Sequence, residues 1–371
     1  MTEIAERLAA DTLSLVDLAS VSRDERAILE LIRGRIDGAP GLRIVEEDAT
    51  IAALPERRAG VPLVLLAGHV DTVPVGGAEF PGRLDDDVLH GRGASDMKGS
   101  LAVMLALAVA GAPTAHLDVG YLFFGREEVP ITESALLPAL ERVPALRESS
   151  LAIVMEPTAN TLEVGCTGNL NARVSVRGRA AHSARPWLGD NAIHTAIEAL
   201  SVVTDLPARD VEIDGLVFHE VISVTRIAGG VADNVVPDRA EAHINMRYAP
   251  SRAPAEAERR LEELLGRDRV RIEVVGNAPP GPICLGNPLV TRLREAGDLI
   301  VAPKQGWTPV AEFAMAGVDA VNLGPGDPRY AHSDDERVTG TALARTHAIV
   351  SAFLAGRKAE VGPSLTIDAS G

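Results

Sequence analysis

Cysteine and long apolar runs are both scarce in this chain of 371 residues. Its two cysteines, Cys166 and Cys284, are too few for a disulfide framework, which favours a reducing cytoplasm. The longest apolar run, residues 101–112, is too short to cross a bilayer and is better explained by a buried helix. The first 30 residues show no signal-peptide core. These absences predict a cytoplasmic protein that has no membrane partner.

Positive charge is also in short supply, because 36 Lys and Arg stand against 52 Asp and Glu, a net charge of -16. Such an acidic chain is poorly suited to a nucleic-acid groove or to an anionic membrane surface. A small anionic substrate is not excluded, since metal ions and a few Arg can make one site locally positive. We therefore expect no nucleic-acid partner.

The length exceeds that of a usual single core, so two domains are expected. Three short apolar runs, residues 62–67, 119–124 and 151–155, each lead directly into His or acidic residues. This pattern predicts an α/β domain with a mixed central sheet flanked by helices, and with its chemistry at one sheet edge. In the N-terminal stretch, Ser22 to Glu25 predicts a capping box for the helix that follows.

The middle of the chain follows a different pattern. Strands are predicted at residues 170–177, 221–227, 241–247 and 270–275, with helices at 191–203 and 255–264. The order β-α-β-β-α-β is that of a ferredoxin-like α+β domain. We predict a catalytic domain over 1–167 and 281–357, an inserted domain over 168–280, and a tail over 358–371.

Five short segments carry imidazole and carboxylate side chains. They contribute His69 and Asp71, Asp96, Glu127 and Glu128, Glu156, and His332. Each segment alone has an ordinary explanation, such as a helix N-cap for Asp96 or a surface pair for the two Glu. Together, two His and three carboxylates can hold two divalent ions that share one carboxylate. A further Glu beside such a centre can activate water, so the pattern predicts a hydrolase.

The order of these segments resembles the M20 family of metallopeptidases and deacylases over nearly the whole chain. The motifs are His-x-Asp, Asp-Met-Lys-Gly, Glu-Glu, Glu-Pro and a late His. Within that family the chain looks most like the succinyl-diaminopimelate desuccinylases of the actinobacterial type. That likeness lies in residues 165–170, 181–185, 187–192, 306–308 and 321–328.

The resemblance implies a role for each candidate residue. One zinc would be held by His69, Asp96 and Glu156, and the other by Asp96, Glu128 and His332, with Co²⁺ as another suitable metal. Asp71 would orient His69, Glu127 would be the general base and then the general acid, and the Asp96–Met97 peptide would be cis. The residues that contact substrate would be Asn234, Arg247 and Gly324.

The resemblance also implies an assembly and a reaction. The inserted domain would act as a dimerisation or lid domain, and its His182 would stabilise the oxyanion in the partner subunit of a homodimer. The substrate would be a small anionic N-acyl amino acid, preferentially N-succinyl-L,L-diaminopimelate in lysine and diaminopimelate biosynthesis.

Two residues depart from the desuccinylase pattern. Pro309 and Glu312 stand where Asp and Arg are expected, which puts recognition of the substrate carboxylate in question. Another M20 activity therefore stays open, either an N-acyl-amino-acid deacylase such as acetylornithine deacetylase or a metallocarboxypeptidase. The remaining alternative is a non-catalytic homologue that binds a metal or ligand.

Overall fold

The computed structural model describes residues 1–111, 114 and 116–360, so the predicted tail lies outside the described residues from 361 onward. The α-helices are α1 Glu3–Val16, α2 Arg26–Ile36, α3 Gly99–Ala110, α4 Leu136–Arg142, α5 Pro144–Arg147, α6 Ala192–Thr204, α7 Pro254–Leu265, α8 Pro288–Gly297, α9 Val310–Met315 and α10 Gly340–Leu354. The strands are β1 Leu42–Glu47, β2 Thr50–Pro55, β3 Leu63–His69, β4 Arg83–Asp85, β5 Val88–His90, β6 Asp118–Phe124, β7 Leu151–Val154, β8 Leu162–Val164, β9 Gly168–Arg177, β10 Ala181–His182, β11 Arg209–Ile213, β12 Leu216–Gly229, β13 Val235–Val236, β14 Arg239–Tyr248, β15 Val270–Ala278, β16 Val301–Pro303, β17 Ala320–Asn322 and β18 Arg337–Thr339.

The first of two compact units contains the predicted mixed sheet. It comprises Met1–Gly165, Ile283–Ala302 and the described chain from Thr308 onward. The eight strands of this mixed sheet lie in the order β1-β2-β6-β3-β7-β17-β8-β16, and β3 is parallel to both β6 and β7. All residues of β3, β6 and β7 are buried, which explains why these strands are continuous apolar runs without alternation. The prediction of a mixed central sheet flanked by helices is confirmed.

The long apolar run forms α3, which is buried along most of its length beside α1, α2 and α10. An all-round apolar helix belongs in a protein interior, as predicted from the run's length. Within the described ranges, no helix combines the length and the apolarity that a membrane crossing requires.

The second unit, Cys166–Pro282 with Pro303–Trp307, contains an antiparallel sheet of five strands in the order β11-β12-β14-β9-β15. Helices α6 and α7 cover one face, where Leu200 and Leu261 pack against Ala172 and Ile244. The four longest strands have the ferredoxin-like order, as predicted. Strand β11 was not predicted, although Asp214-Gly215 is a two-residue hairpin signal and both residues have positive φ.

One segment joins the second unit unexpectedly. The Gln305 side chain donates to the Val217 carbonyl and accepts from His219 N–H, and Trp307 Nε1 donates to the Pro279 carbonyl at 3.0 Å. The sequence boundaries placed residues 303–307 in the catalytic domain. No change of composition marks this segment, so only its tertiary contacts could assign it.

Candidate metal centre

Three neighbouring parallel strands bring His69, the Glu127–Glu128 pair and Glu156 to one sheet edge. His69 is the last residue of β3 and pairs in register with Phe124, the last residue of β6, while β7 lies on the other side of β3. Glu127 follows β6 and Glu156 follows β7 within three residues. Because the carboxyl ends of parallel strands meet at one edge, residues far apart in sequence converge there.

Asp96 lies between the two candidate histidines. Its Oδ1 is 3.0 Å from His69 Nε2, and its Oδ2 is 3.5 Å from His332 Nε2. It occupies an irregular turn, Ala94–Lys98, just before α3, and the Asp96–Met97 peptide is cis, as expected. The two oxygens of one carboxylate thus face two different imidazoles, which is the orientation that a bridging ligand requires.

The donor atoms fall into groups that share members. One group contains His69, Asp96 and Glu156, and another contains Asp96, Glu128 and His332; in each, the donor atoms lie within 4.8 Å of one another. Glu128 Oε1 is 2.9 Å from His332 Nε2. A third group joins His69 with Glu127 and Glu128, so Glu127 lies beside the others. The structure brings together all the residues that the sequence proposed as ligands or base.

The burial of several acids in one place shifts the pKa values of the carboxyl and imidazole groups of the site. The pKa of Glu127 lies well above its ordinary range because the carboxyl is buried and the Glu156 carboxylate is close. Hydrogen bonds to Asp96 and Glu128 raise the pKa of His332 to about 10. Buried carboxylates in excess of nearby cations are costly unless a positive charge compensates them. The site is therefore arranged for bound cations.

Asp71 holds the Glu127–Glu128 segment rather than the imidazole alone. Its Oδ1 and Oδ2 accept the backbone N–H groups of Glu127 and Glu128, each at 3.1 Å. His69 Nδ1 is 3.0 Å from the Asp71 carbonyl oxygen but 3.7 Å from its carboxylate. His69 Nδ1 is therefore nearer to the Asp71 backbone carbonyl than to the Asp71 carboxylate, so the backbone makes the closer contact that orients the imidazole.

Ser22 is a partner of this site that the sequence analysis missed. Its hydroxyl donates to Asp71 Oδ2 at 2.7 Å. The predicted capping box is wrong, because the N-cap of α2 is Glu25, which makes no side-chain cap bond. The Ser22 hydroxyl is engaged with Asp71 instead.

A second missed contact fixes Asp96. Glu336, which is buried, accepts the backbone N–H groups of Ser95 and Asp96 at 3.1 and 3.0 Å, and its other oxygen pairs with buried Arg92. Glu336 lies four residues after His332, so one carboxylate ties together the two loops that carry these ligands. The sequence offered only a weak signal, an acid close to the late His.

In the second unit, His182 and Asn234 lie on adjoining segments. His182 pairs in register with Val235, and Ser183 N–H donates to the Asn234 carbonyl at 2.9 Å. The His182 Nδ1 accepts the Ala184 N–H at 3.0 Å. A neutral His182 consequently carries its proton on Nε2 and presents a hydrogen-bond donor.

The two remaining substrate candidates have different surroundings. Arg247, in β14, is partly buried, and its Nε donates to Asn245 Oδ1 at 3.1 Å. Gly324 packs so tightly that a Cβ would lie 2.4 Å from the carbonyl oxygens of Met155 and Glu156, and its N–H donates to Thr158. A side chain at position 324 would thus clash with the backbone at Glu156, which explains the glycine. The contact of Gly324 with substrate stays a prediction.

The departures at Pro309 and Glu312 lie in the first unit at the start of α9. Glu312 is fully buried, and burial raises the pKa of its carboxyl to about 7 even though Ser134 and the Leu137 backbone lower it. The sequence placed Glu312 where it could alter recognition of a carboxylate. Its carboxyl is not on a surface that substrate could reach, so any effect on recognition must be indirect.

Comparison with known proteins agrees with this arrangement. Residues 65–356 match the model of peptidase family M20/M25/M40. The chain is 40% identical to a candidate succinyl-diaminopimelate desuccinylase of Mycobacterium tuberculosis, over 93% of this chain and 97% of that protein. It is 35% identical to the succinyl-diaminopimelate desuccinylase of Corynebacterium glutamicum, over 92% and 95% of the two chains. The fold superposes on an M20 family metallo-carboxypeptidase of Sulfolobus solfataricus with a TM-score of 0.78 at 18% identity, covering 95% and 99% of the chains. The chain therefore belongs to peptidase family M20/M25/M40.

Proposed function

We propose that this protein is a dizinc amidohydrolase that cleaves N-succinyl-L,L-diaminopimelate to succinate and L,L-diaminopimelate. The observation that carries the proposal is the position of Asp96 between two His-containing donor groups, with Glu127 beside them.

The donor set fits the proposed metals. Two imidazoles and several carboxylates offer the nitrogen and oxygen ligands that Zn²⁺ takes in catalytic sites, and Co²⁺ accepts the same types. Divalent ions also supply the positive charge that this buried group of acids needs. When bound, such ions lower the pKa of a coordinated water and polarise a substrate carbonyl.

Glu127 is assigned the proton transfers. A carboxylate oxygen accepts the proton of the attacking water as the new C–O bond forms at the amide carbon. The same oxygen then delivers that proton to the amine nitrogen as the C–N bond breaks. Burial and the nearby Glu156 carboxylate raise the pKa of Glu127, and a raised pKa favours transfer of the proton onto the carboxylate before this second step.

Residues of the second unit are assigned to substrate and oxyanion. Arg247 and Asn234 bind carboxylate groups of the substrate, since a chain with a net charge of -16 needs local donors for an anion. His182 stabilises the oxyanion of the tetrahedral intermediate in the partner subunit, and its Nε2–H is the donor for this role. This assignment requires a homodimer.

The names of the two relatives favour the succinyl substrate, whereas the departures at Pro309 and Glu312 leave the identity of the acyl group open. An N-acyl-amino-acid deacylase or a metallocarboxypeptidase is therefore the second candidate, in line with the Sulfolobus solfataricus structure. A non-catalytic homologue would be expected to have lost Glu127 or one of the ligands, and all of them are present.

Hydrolysis of a substrate panel tests the proposal. The zinc-loaded protein should release L,L-diaminopimelate from N-succinyl-L,L-diaminopimelate faster than it hydrolyses acetylornithine, other N-acyl amino acids or peptides with a free C-terminus. Chelation should abolish turnover, and added Zn²⁺ or Co²⁺ should restore it. Faster hydrolysis of acetylornithine or of a peptide would replace the succinyl assignment. If the protein shows no metal-dependent turnover of any substrate in the panel, the proposed hydrolase activity is rejected.

A further inference from the structure

Three asparagines form a ladder across β9 and β14 next to Arg247. Asn245 Nδ2 donates to Asn169 Oδ1 at 2.7 Å and to Asn171 Oδ1 at 2.9 Å, and Asn171 Nδ2 donates to Asn169 Oδ1 at 3.2 Å. In register, Asn245 pairs with Asn171 and Arg247 pairs with Asn169. All four side chains therefore lie on the same face of the sheet, because residues two apart on a strand point the same way.

The ladder fixes the orientation of the Asn245 amide. Both of its N–H donors are used by the asparagines of β9, so only Oδ1 remains to face Arg247, where it accepts Nε–H at 3.1 Å. The flipped amide would set a donor against the guanidinium and remove both bonds to β9. The network consequently holds one edge of the guanidinium in a single direction.

Arg247 nevertheless keeps an unneutralised charge. Among the described residues, no carboxylate forms an ion pair with it, and its ladder partner is a neutral amide. It lines a cavity of about 590 Å³ together with Arg209, Arg252 and Glu220. Arg252 and the Ala249 N–H already occupy the Glu220 carboxylate, at 2.8 to 3.2 Å. A partly buried cation without a counter-ion is costly, and an incoming anion removes that cost.

We infer that Asn169, Asn171 and Asn245 are positioning residues that aim Arg247, with its charge intact, at a carboxylate of the substrate. This inference rests on the proposed function and deepens it, because it identifies what makes the second unit selective for an anion. An Asp in place of Asn245 would accept the same hydrogen bond but would satisfy the guanidinium internally. The neutrality of position 245 is thus the property that leaves Arg247 available.

Asn245→Asp tests this directly. We expect KM for N-succinyl-L,L-diaminopimelate to rise at least tenfold while kcat falls less than threefold, and Asn245→Ala to raise KM less than Asn245→Asp does. Ser175→Asp is the matched control. It adds the same negative charge to the same face of the sheet, but on β9 and four residues from Asn171. Its KM should stay within twofold of wild type. A KM for Asn245→Asp no higher than that of the control would overturn the recognition role while leaving hydrolysis in place.

A second measurement does not depend on activity. Asn245→Asp and Arg247→Gln should be non-additive in Tm, because the new carboxylate is stabilised only while the guanidinium is present. Additive shifts in Tm would overturn the contact itself, whatever the protein hydrolyses. If the Tm shifts of the variants are non-additive but the wild-type protein hydrolyses no acyl substrate, the contact stands, whereas the proposed function is rejected and the recognition role with it.

Discussion

Among the acids at the sheet edge, Glu127 is distinguished by the task assigned to it. If it is the general base, Glu127→Ala should lower kcat by roughly 10²- to 10⁴-fold while two metal ions still bind. Metal content and turnover should be measured on the same preparation. Glu128→Ala is the contrasting variant, expected to lose metal as well as activity. Turnover of Glu127→Ala near the wild-type rate would place the base elsewhere.

Glu312 offers a second test at a single residue, through stability rather than activity. Its carboxyl has an ordinary pKa of 4.5 and a folded pKa of about 7 because it is buried. Between these values the unfolded chain releases the proton and the folded chain keeps it. The stabilising contribution of the protonated form is therefore complete below pH 4.5 and is lost as pH rises to about 7.

Glu312→Gln removes this titration. Relative to wild type, the variant should be more stable at pH 8 by roughly 3 kcal/mol, and nearly unchanged near pH 4.5. Urea unfolding at both pH values measures the difference. Glu141→Gln, an exposed position on α4, is the control and should change stability by less than about 0.5 kcal/mol at either pH. An equal effect of Glu312→Gln at both pH values would contradict the buried titration.

At the scale of elements, the carboxyl ends of β3, β6 and β7 could be predicted because their apolar runs each lead into a chemically active residue. Apolar runs and following acids are local patterns, so the sequence shows them directly. The contacts that hold those residues are not local. Ser22 bonds to Asp71 across 49 positions, and Glu336 bonds to Asp96 across 240. No spacing rule connects such pairs, and for Ser22 a local capping rule gave the wrong partner.

The loop that carries Asp96 should be sensitive to Glu336. Glu336→Gln retains one acceptor oxygen but leaves buried Arg92 without a counter-charge, which should destabilise the fold by roughly 3 to 5 kcal/mol. A loosened Asp96 should also weaken metal binding by about 10- to 100-fold, as expected for a residue that orients a ligand. Competition with a chelator measures that affinity. Asp335→Asn, the exposed neighbour, is the control, and wild-type metal affinity in Glu336→Gln would contradict the bracing role.

For the whole molecule, the ferredoxin-like order of the second unit followed from the sequence, whereas its extra strand β11 and residues 303–307 did not. The longer strands carry a clear period of two in their burial, as β9 does. Residues 303–307 join the second unit through contacts such as those of Gln305 with Val217 and His219. Such contacts are tertiary and leave no periodic trace. The same limit applies to assembly, because the residues that complete a site across two subunits carry no local signature.

Subunit mixing tests that assembly. If His182 acts in the partner's active site, Glu127→Ala and His182→Ala homodimers should each be nearly inactive, because every site in them lacks one group. A mixed dimer holds one site in which both groups are intact. Mixing the two variants under conditions of subunit exchange should therefore restore activity, up to about a quarter of the wild-type rate when half of the dimers are mixed and each has one working site. Exchange can be followed with differently tagged subunits, and mixing either variant with itself is the control. Proven exchange without any recovery would place His182 in its own subunit's site or outside the chemistry.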